Sequence, residues 1–124
     1  MGKRILVVED QEDNRRILRD LLTSVGYEII EAVTGEEGVA MAETGHPDLI
    51  LMDIQLPGID GYEATRRVRA HPALRQVPII AVTSYALSGD DVKAMEAGCT
   101  DYVPKPFSPR ALLAKIRKYL PQNI

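Results

Sequence analysis

The run Leu49–Met52 is four consecutive apolar residues that end on Asp53 and are soon cut off by Pro57-Gly58. A strand with one wet face alternates apolar and polar residues. This one does not, so both of its faces must be covered. Ile5–Val8 and Ile79–Val82 read the same way. Several such strands in one chain call for a parallel sheet with helices on each side. The chain has 124 residues, 45% of them hydrophobic, and holds one core of this kind, so residues 1–124 are read as a single domain.

The segments between the strands supply the helices. Ile17, Leu18, Leu21, Leu22 and Val25 recur at helical spacing, and Gly26 is placed to end that helix. Tyr27–Ala32 is a second strand. Thr34 with Glu37 three residues on forms a capping box for a helix to about Thr44, which Gly45 closes. Gly61–Ala70 is a helix with Tyr62, Thr65 and Val68 inward. Ser88 with Asp91 starts a fourth helix, whose thin inner face is Val92, Met95 and small alanines. A short strand follows within residues 101–106. Ser108 caps a last helix with Pro109 at its first position and Leu112, Leu113, Ile116 and Leu120 inward. Five strands thus alternate with five helices: an α/β fold with a parallel sheet between two helical layers.

In such sheets ligands bind beyond the carboxyl ends of the strands. Glu9 and Asp10 follow the first strand, Asp53 ends the third, Thr83 ends the fourth and Lys105 follows the fifth. The topology gathers them on one edge. A lone carboxylate at the end of an apolar strand is costly, so its partners explain its presence. Three carboxylates repel one another and one lysine cannot balance them. A divalent cation does, and ligands that are all hard oxygens fit Mg²⁺. No cysteine–histidine cluster offers a zinc site. An aspartate beside such a metal, a lysine and a hydroxyl is also a nucleophile toward phosphorus, with the cations neutralising the transferring group.

The stretches "ILVVED", "LILMDIQLPGIDG", "IIAVTS" and "YVPKPF" resemble, in order and spacing, the receiver domain of two-component response regulators (CheY-like). The resemblance implies a flavodoxin-like fold with the strand order 2-1-3-4-5. It implies phosphorylation of Asp53 by a sensor histidine kinase or a histidine phosphotransfer protein, with Mg²⁺ as cofactor. Asp10 would ligate the metal directly with Asp53, Glu9 through water, and Gln55 by its backbone carbonyl. Thr83 and Lys105 would hold phosphoryl oxygens, Tyr102 would be the switch aromatic, and the Lys105-Pro106 bond would be cis. Glu9 departs from the paired aspartates of many members but keeps the charge. With helix five ending near Leu120 and only "PQNI" beyond, the output is expected to be a downstream protein bound at the helix 4/strand 5/helix 5 surface, as in stand-alone receivers of the chemotaxis and DivK types. "VEDQEDN" leans toward the latter. Such a protein is a phosphoacceptor that promotes its own phosphotransfer and autodephosphorylation, not a turnover enzyme.

Other readings compete. A haloacid-dehalogenase phosphohydrolase also uses an aspartate and Mg²⁺, but needs a second aspartate where Gln55 stands. A dinucleotide-binding module needs a glycine-rich turn where this chain has "EDQEDN". A degenerate receiver predicts losses among the acids or the lysine. Individually, Glu9-Asp10 are also plausible helix caps, Thr83 ordinary strand composition, and Tyr102 a half-buried sheet residue. His46 and His71 are read as exposed loop residues, Cys99 as apolar filler, and Arg66, Arg67, Arg69, Arg117 and Lys118 as solvated helix faces. The net charge of −3 and the lack of a membrane-length apolar stretch give no reason to expect nucleic acid or a membrane as partner. One cysteine excludes an internal disulfide and suits the cytoplasm.

Overall fold

The computed structural model describes residues 2–84 and 89–121. Five parallel strands, β1 (Arg4–Val8), β2 (Glu28–Ala32), β3 (Leu49–Asp53), β4 (Ile79–Thr83) and β5 (Asp101–Pro104), form one sheet in the order β2-β1-β3-β4-β5. The connecting helices are α1 (Glu12–Ser24), α2 (Gly35–Gly45), α3 (Gly61–Ala70), α4 (Asp90–Ala97) and α5 (Pro109–Tyr119). A 3-10 turn, Pro72–Leu74, precedes β4.

Successive strand residues point to opposite faces. Ile5, Val7, Leu49, Leu51 and Ile80 face α1 and α5, where they meet Leu18, Leu22, Leu112 and Ile116. Leu6, Val8, Ile50, Met52 and Ile79 face α2, α3 and α4, where they meet Ala42, Ala64, Val68 and Ala94. Every residue of β3 and β4 is buried. The apolar runs therefore lie in the middle of the sheet, and the polar residues that end them come out together at its carboxyl edge.

Several local expectations are met. Thr34 accepts from the Glu37 N–H at 3.0 Å, while Glu37 reaches back to the Val33 N–H at 3.1 Å. Ser108 accepts from the Ala111 N–H at 3.4 Å with Pro109 at the first helical position. Others change. Tyr27 does not open β2: its N–H closes the end of α1 on the Leu22 carbonyl, and its hydroxyl donates to the Leu120 carbonyl at 3.2 Å. Gly45 is the last residue of α2, and His46 takes the left-handed position at φ 50°. A Cβ on Gly45 would fall 2.7 Å from Ile30 Cδ1, so a side chain there would have to push the tip of Ile30 aside. Ser88, expected to cap α4, lies outside the described residues, and the helix runs from Asp90 after Gly89.

The largest correction concerns Arg69, read as solvated. It is half-buried, and its guanidinium donates to the carbonyls of Gly98 at 2.8 Å, Leu74 at 2.8 Å, Arg75 at 3.2 Å and Val77 at 2.6 Å, and to Thr100 Oγ1 at 3.2 Å. It ties the end of α3, the start of β4 and the α4–β5 turn together. Burial pulls its pKa below the ordinary arginine value. Arg69→Met is expected to destabilise the fold by about 2–3 kcal/mol, because some of those acceptors stay covered without a donor. Urea unfolding with an unchanged m-value checks this, and a loss below about 0.5 kcal/mol, the usual range for a surface change, contradicts it. His71 is also not a free loop residue: it is partly buried, and its Nδ1 is covered without a hydrogen-bond partner. Cys99 is the buried filler expected, 3.6 Å from Thr65 Oγ1, and burial pushes its thiol pKa up.

Candidate functional site

At the carboxyl edge, β1 leads directly into Glu9 and Asp10. The Glu9 N–H donates to the Ala32 carbonyl of β2 at 3.0 Å, which extends the ladder one residue beyond the strand and draws Glu9 inward. Glu9 and Asp53 are each only 3% exposed, and Asp10 is partly exposed. Their carboxylate oxygens lie within 4.8 Å of one another. Two backbone donors serve the buried pair: the Gln11 N–H binds Glu9 Oε2 at 3.1 Å, and the Gln55 N–H binds Asp53 Oδ1 at 3.1 Å.

The lysine arrives from β5. The Lys105 N–H donates to the Thr83 carbonyl at 2.7 Å, and the Lys105-Pro106 bond is cis as expected. Lys105 Nζ sits 3.1 Å from Asp53 Oδ2 and 3.2 Å from Glu9 Oε1. Desolvation alone would lower the ammonium's pKa, but the two carboxylates outweigh it and hold the pKa above the ordinary lysine value. Lys105 is therefore a fixed cation at neutral pH. It leaves the cluster with two uncompensated negative charges, the charge a divalent cation carries. Three converging carboxylates with no sulfur or imidazole form a donor set that can bind a hard metal ion.

The loop beyond Asp53 is held close. The Gly61 N–H donates to the Ile54 carbonyl at 2.9 Å, and a Cβ on Gly61 would collide with the Asp53 carbonyl. Only glycine lets α3 start against the end of β3. Gln55 is exposed on this loop. Thr83, fully buried, ends β4 beside β3. Tyr102 stands apart from the carboxylates: it pairs with Ala81 on β4, is half-buried against the α3–α4 side of the core, and carries Lys115 Nζ 5.2 Å from its ring centre. Lys115 also pairs with Asp101 at 2.9 Å, whose other oxygen accepts from the Tyr119 hydroxyl at 2.8 Å.

Three features were not foreseen. Ile17, counted in the apolar repeat of α1, is 54% exposed and with Asn14, Phe107 and Pro109 lines a cavity of about 400 Å³ that reaches Lys105. Val92 and Met95, assigned to the inside of α4, are 55% and 48% exposed; Ala94 and Ala97 face the core instead. Arg15 ties down the Glu9-Asp10 backbone. Only Arg15 had a sequence signal, a cation one turn into the helix that follows an acidic pair.

Residues 5–117 match the response regulator receiver domain family. The chain is 42% identical over 120 residues to the polar-differentiation response regulator DivK of Brucella ovis, covering 97% of this chain and 98% of that one. Among solved structures it is similar to the receiver domain of the sensor histidine kinase PA1611 from Pseudomonas aeruginosa PAO1, which holds a magnesium ion coordinated in its active-site cleft. That match has 40% identity and a TM-score of 0.92, covering 98% of this chain and all of that one. It is also similar to the chemotaxis response regulator CheY4 of Vibrio cholerae, with 28% identity and a TM-score of 0.91, covering 97% of this chain and all of the other. The chain belongs to the response regulator receiver domain family of two-component signalling proteins.

Proposed function

We propose that Asp53 is the phosphoacceptor of this receiver, working with Mg²⁺. An Asp53 carboxylate oxygen attacks the phosphorus of a phosphohistidine. The O–P bond forms as the P–N bond breaks, and its electron pair goes to the donor's imidazole nitrogen. Lys105 and the Thr83 hydroxyl receive phosphoryl oxygens. Bound Mg²⁺ supplies charge neutralisation between the carboxylates and the phosphoryl group. Asp10, Asp53 and Glu9 would hold it, together with the backbone carbonyl of Gln55. Water later cleaves the acyl phosphate at the same site, so the protein promotes its own loading and unloading. The observation that carries this reading is one ammonium within 3.2 Å of two buried carboxylates that converge with a third.

The donor, a sensor histidine kinase or phosphotransfer protein, approaches over the cavity beside Ile17 and Phe107, because Lys105 lines both that cavity and the acidic cluster. The target protein binds the α4–β5–α5 face, which offers exposed Val92 and Met95 on α4. Nucleic acid and membrane are not partners on this reading, and the cytoplasm is its setting. No helix among the described residues is long and apolar enough to cross a membrane. Incubation with acetyl phosphate and Mg²⁺, followed by intact mass and adduct mapping, tests the reading. An unmodified protein would overturn it.

A metal at this site stabilises the fold by mass action. At a Mg²⁺ concentration a hundredfold above the dissociation constant, the gain is about 2.7 kcal/mol. Asp10→Asn removes one charge of the repelling set, so its apo form is expected to melt higher than the wild-type apo protein and to gain less from Mg²⁺. A wild-type melting temperature indifferent to millimolar Mg²⁺ contradicts this.

A further inference from the structure

Glu9 and Asp10 belong to no strand or helix, yet their carboxylates must stay fixed for the cluster to work. On one side Glu9 is held by its N–H to Ala32. On the other side both carbonyls of the pair accept from a single group: Arg15 donates to the Glu9 carbonyl at 2.9 Å and to the Asp10 carbonyl at 3.1 Å, through the same guanidinium nitrogen. Arg15 is itself aimed. Its Nε lies 3.5 Å from Glu31 Oε1 on β2, and Arg19 grips both Glu31 oxygens at 2.7 and 2.8 Å. The Arg15 N–H donates to the Gln11 carbonyl at 3.0 Å, which seats the side chain in the first turn of α1. The Arg15 side chain is only 15% exposed, unlike its neighbour Arg16, which points into solvent and pairs with Asp13.

We infer that Arg15 is a positioning residue for the divalent-cation site, its guanidinium pinning the backbone of Glu9-Asp10 so that both carboxylates converge on Asp53. The inference rests on the metal reading above. Outer partners that orient metal ligands are worth roughly 10–100-fold in affinity when removed. Electrostatics alone predicts the opposite sign: deleting a cation near an acidic cluster should tighten binding of another cation. The two effects are therefore separable by direction. Arg15 hands its guanidinium to the uncharged carbonyls of Glu9 and Asp10 rather than to the carboxylates, so the geometric effect should dominate.

The test is calorimetric titration of Mg²⁺ into the folded chain, with the apo melting temperature measured alongside. Arg15→Met is expected to weaken Mg²⁺ binding by roughly tenfold or more. Arg15→Lys keeps the charge without the planar fork and should fall between Arg15→Met and wild type. Arg16→Met, on the same turn, should bind as wild type does. A purely structural role would lower the melting temperature and leave the dissociation constant alone, which would overturn the inference. Unchanged or tighter binding in Arg15→Met also overturns it, as does an equal loss in Arg16→Met. If Arg15→Met does not fold, unchanged affinity in Arg15→Lys decides against it. Should wild type bind no Mg²⁺ at millimolar levels, the metal reading itself fails and this inference with it.

Discussion

Asp53→Asn is expected to abolish phosphorylation, lowering the initial rate of labelling from any phosphodonor by roughly a hundredfold or more, as removal of a nucleophile does elsewhere. The choice of Asp53 over its neighbours is geometric. Glu9 is equally buried and also touches Lys105, so contact with the lysine does not separate them. Position in the sheet does. Asp53 ends β3, next to β4 and its Thr83, whereas Glu9 follows β1 on the far side of β3. With strands about 4.8 Å apart, a phosphoryl group on Asp53 lies one strand from the Thr83 hydroxyl, and one on Glu9 lies two. Only the first can be held by Thr83 and Lys105 together. Asp10 is more exposed than either, which favours a place as metal ligand rather than nucleophile. The substitution itself is mild, because an amide at position 53 can still accept the Gln55 N–H and removes one charge from the cluster. Asp53→Asn should therefore melt no lower than wild type in the absence of Mg²⁺. Glu9→Gln should be slowed yet still labelled. Full labelling of Asp53→Asn, with the adduct mapped to Glu9 or Asp10, would relocate the nucleophile.

The carboxyl-edge site was legible because strand ends are legible. Apolar runs stop where the sheet stops, and a parallel topology brings every such end to one edge. Asp53, Thr83 and Lys105 needed no long-range information beyond that. Arg69 did. Its helical position gave no hint that the carbonyl of Gly98 and the hydroxyl of Thr100, about thirty residues away in sequence, would come under it. Val92 and Met95 were assigned inward because large apolar residues usually are. Here α4 turns its small residues Ala94 and Ala97 to the core and leaves the larger two outside. Ile17 went astray for the same reason: periodicity gives a stripe on a helix, while packing decides how wide a stripe is covered. Arg15 shows a weaker kind of signal: a cation one turn past an acidic pair is visible in the sequence, but that it binds their backbone carbonyls rather than their carboxylates is not.

Thr83→Ala is expected to accept phosphate but to lose most of the gain in target affinity that phosphorylation brings. Couplings of this kind amount to about 5–150-fold. A phosphoryl group adds nearly two negative charges and three acceptor oxygens at Asp53. The Thr83 hydroxyl is fully buried one strand away, and on the proposed reading it would move toward them and open space behind it. Tyr102 pairs two residues back along β4 and is half-buried against the same side of the core, so it is placed to turn into that space. Lys115 Nζ lies 5.2 Å from the centre of the Tyr102 ring and is bound to Asp101 at 2.9 Å. A cation over an exposed ring contributes about 0.5–1 kcal/mol, small enough for the phosphoryl group to overcome. Above it, α4 rests on Ala94 and Ala97 with Val92 and Met95 in solvent, so little buried apolar surface resists its movement. The face presented to a partner then differs between the two states, and a partner that prefers one shifts the population toward it. Target affinity measured with and without beryllofluoride, in wild type and in Thr83→Ala, reads the effect directly. By reciprocity, excess target should raise the phosphorylated fraction at equilibrium in wild type and much less in the mutant. A mutant that gains affinity as fully as wild type would show that the hydroxyl does not transmit the signal, and Tyr102 would lose its place in the route.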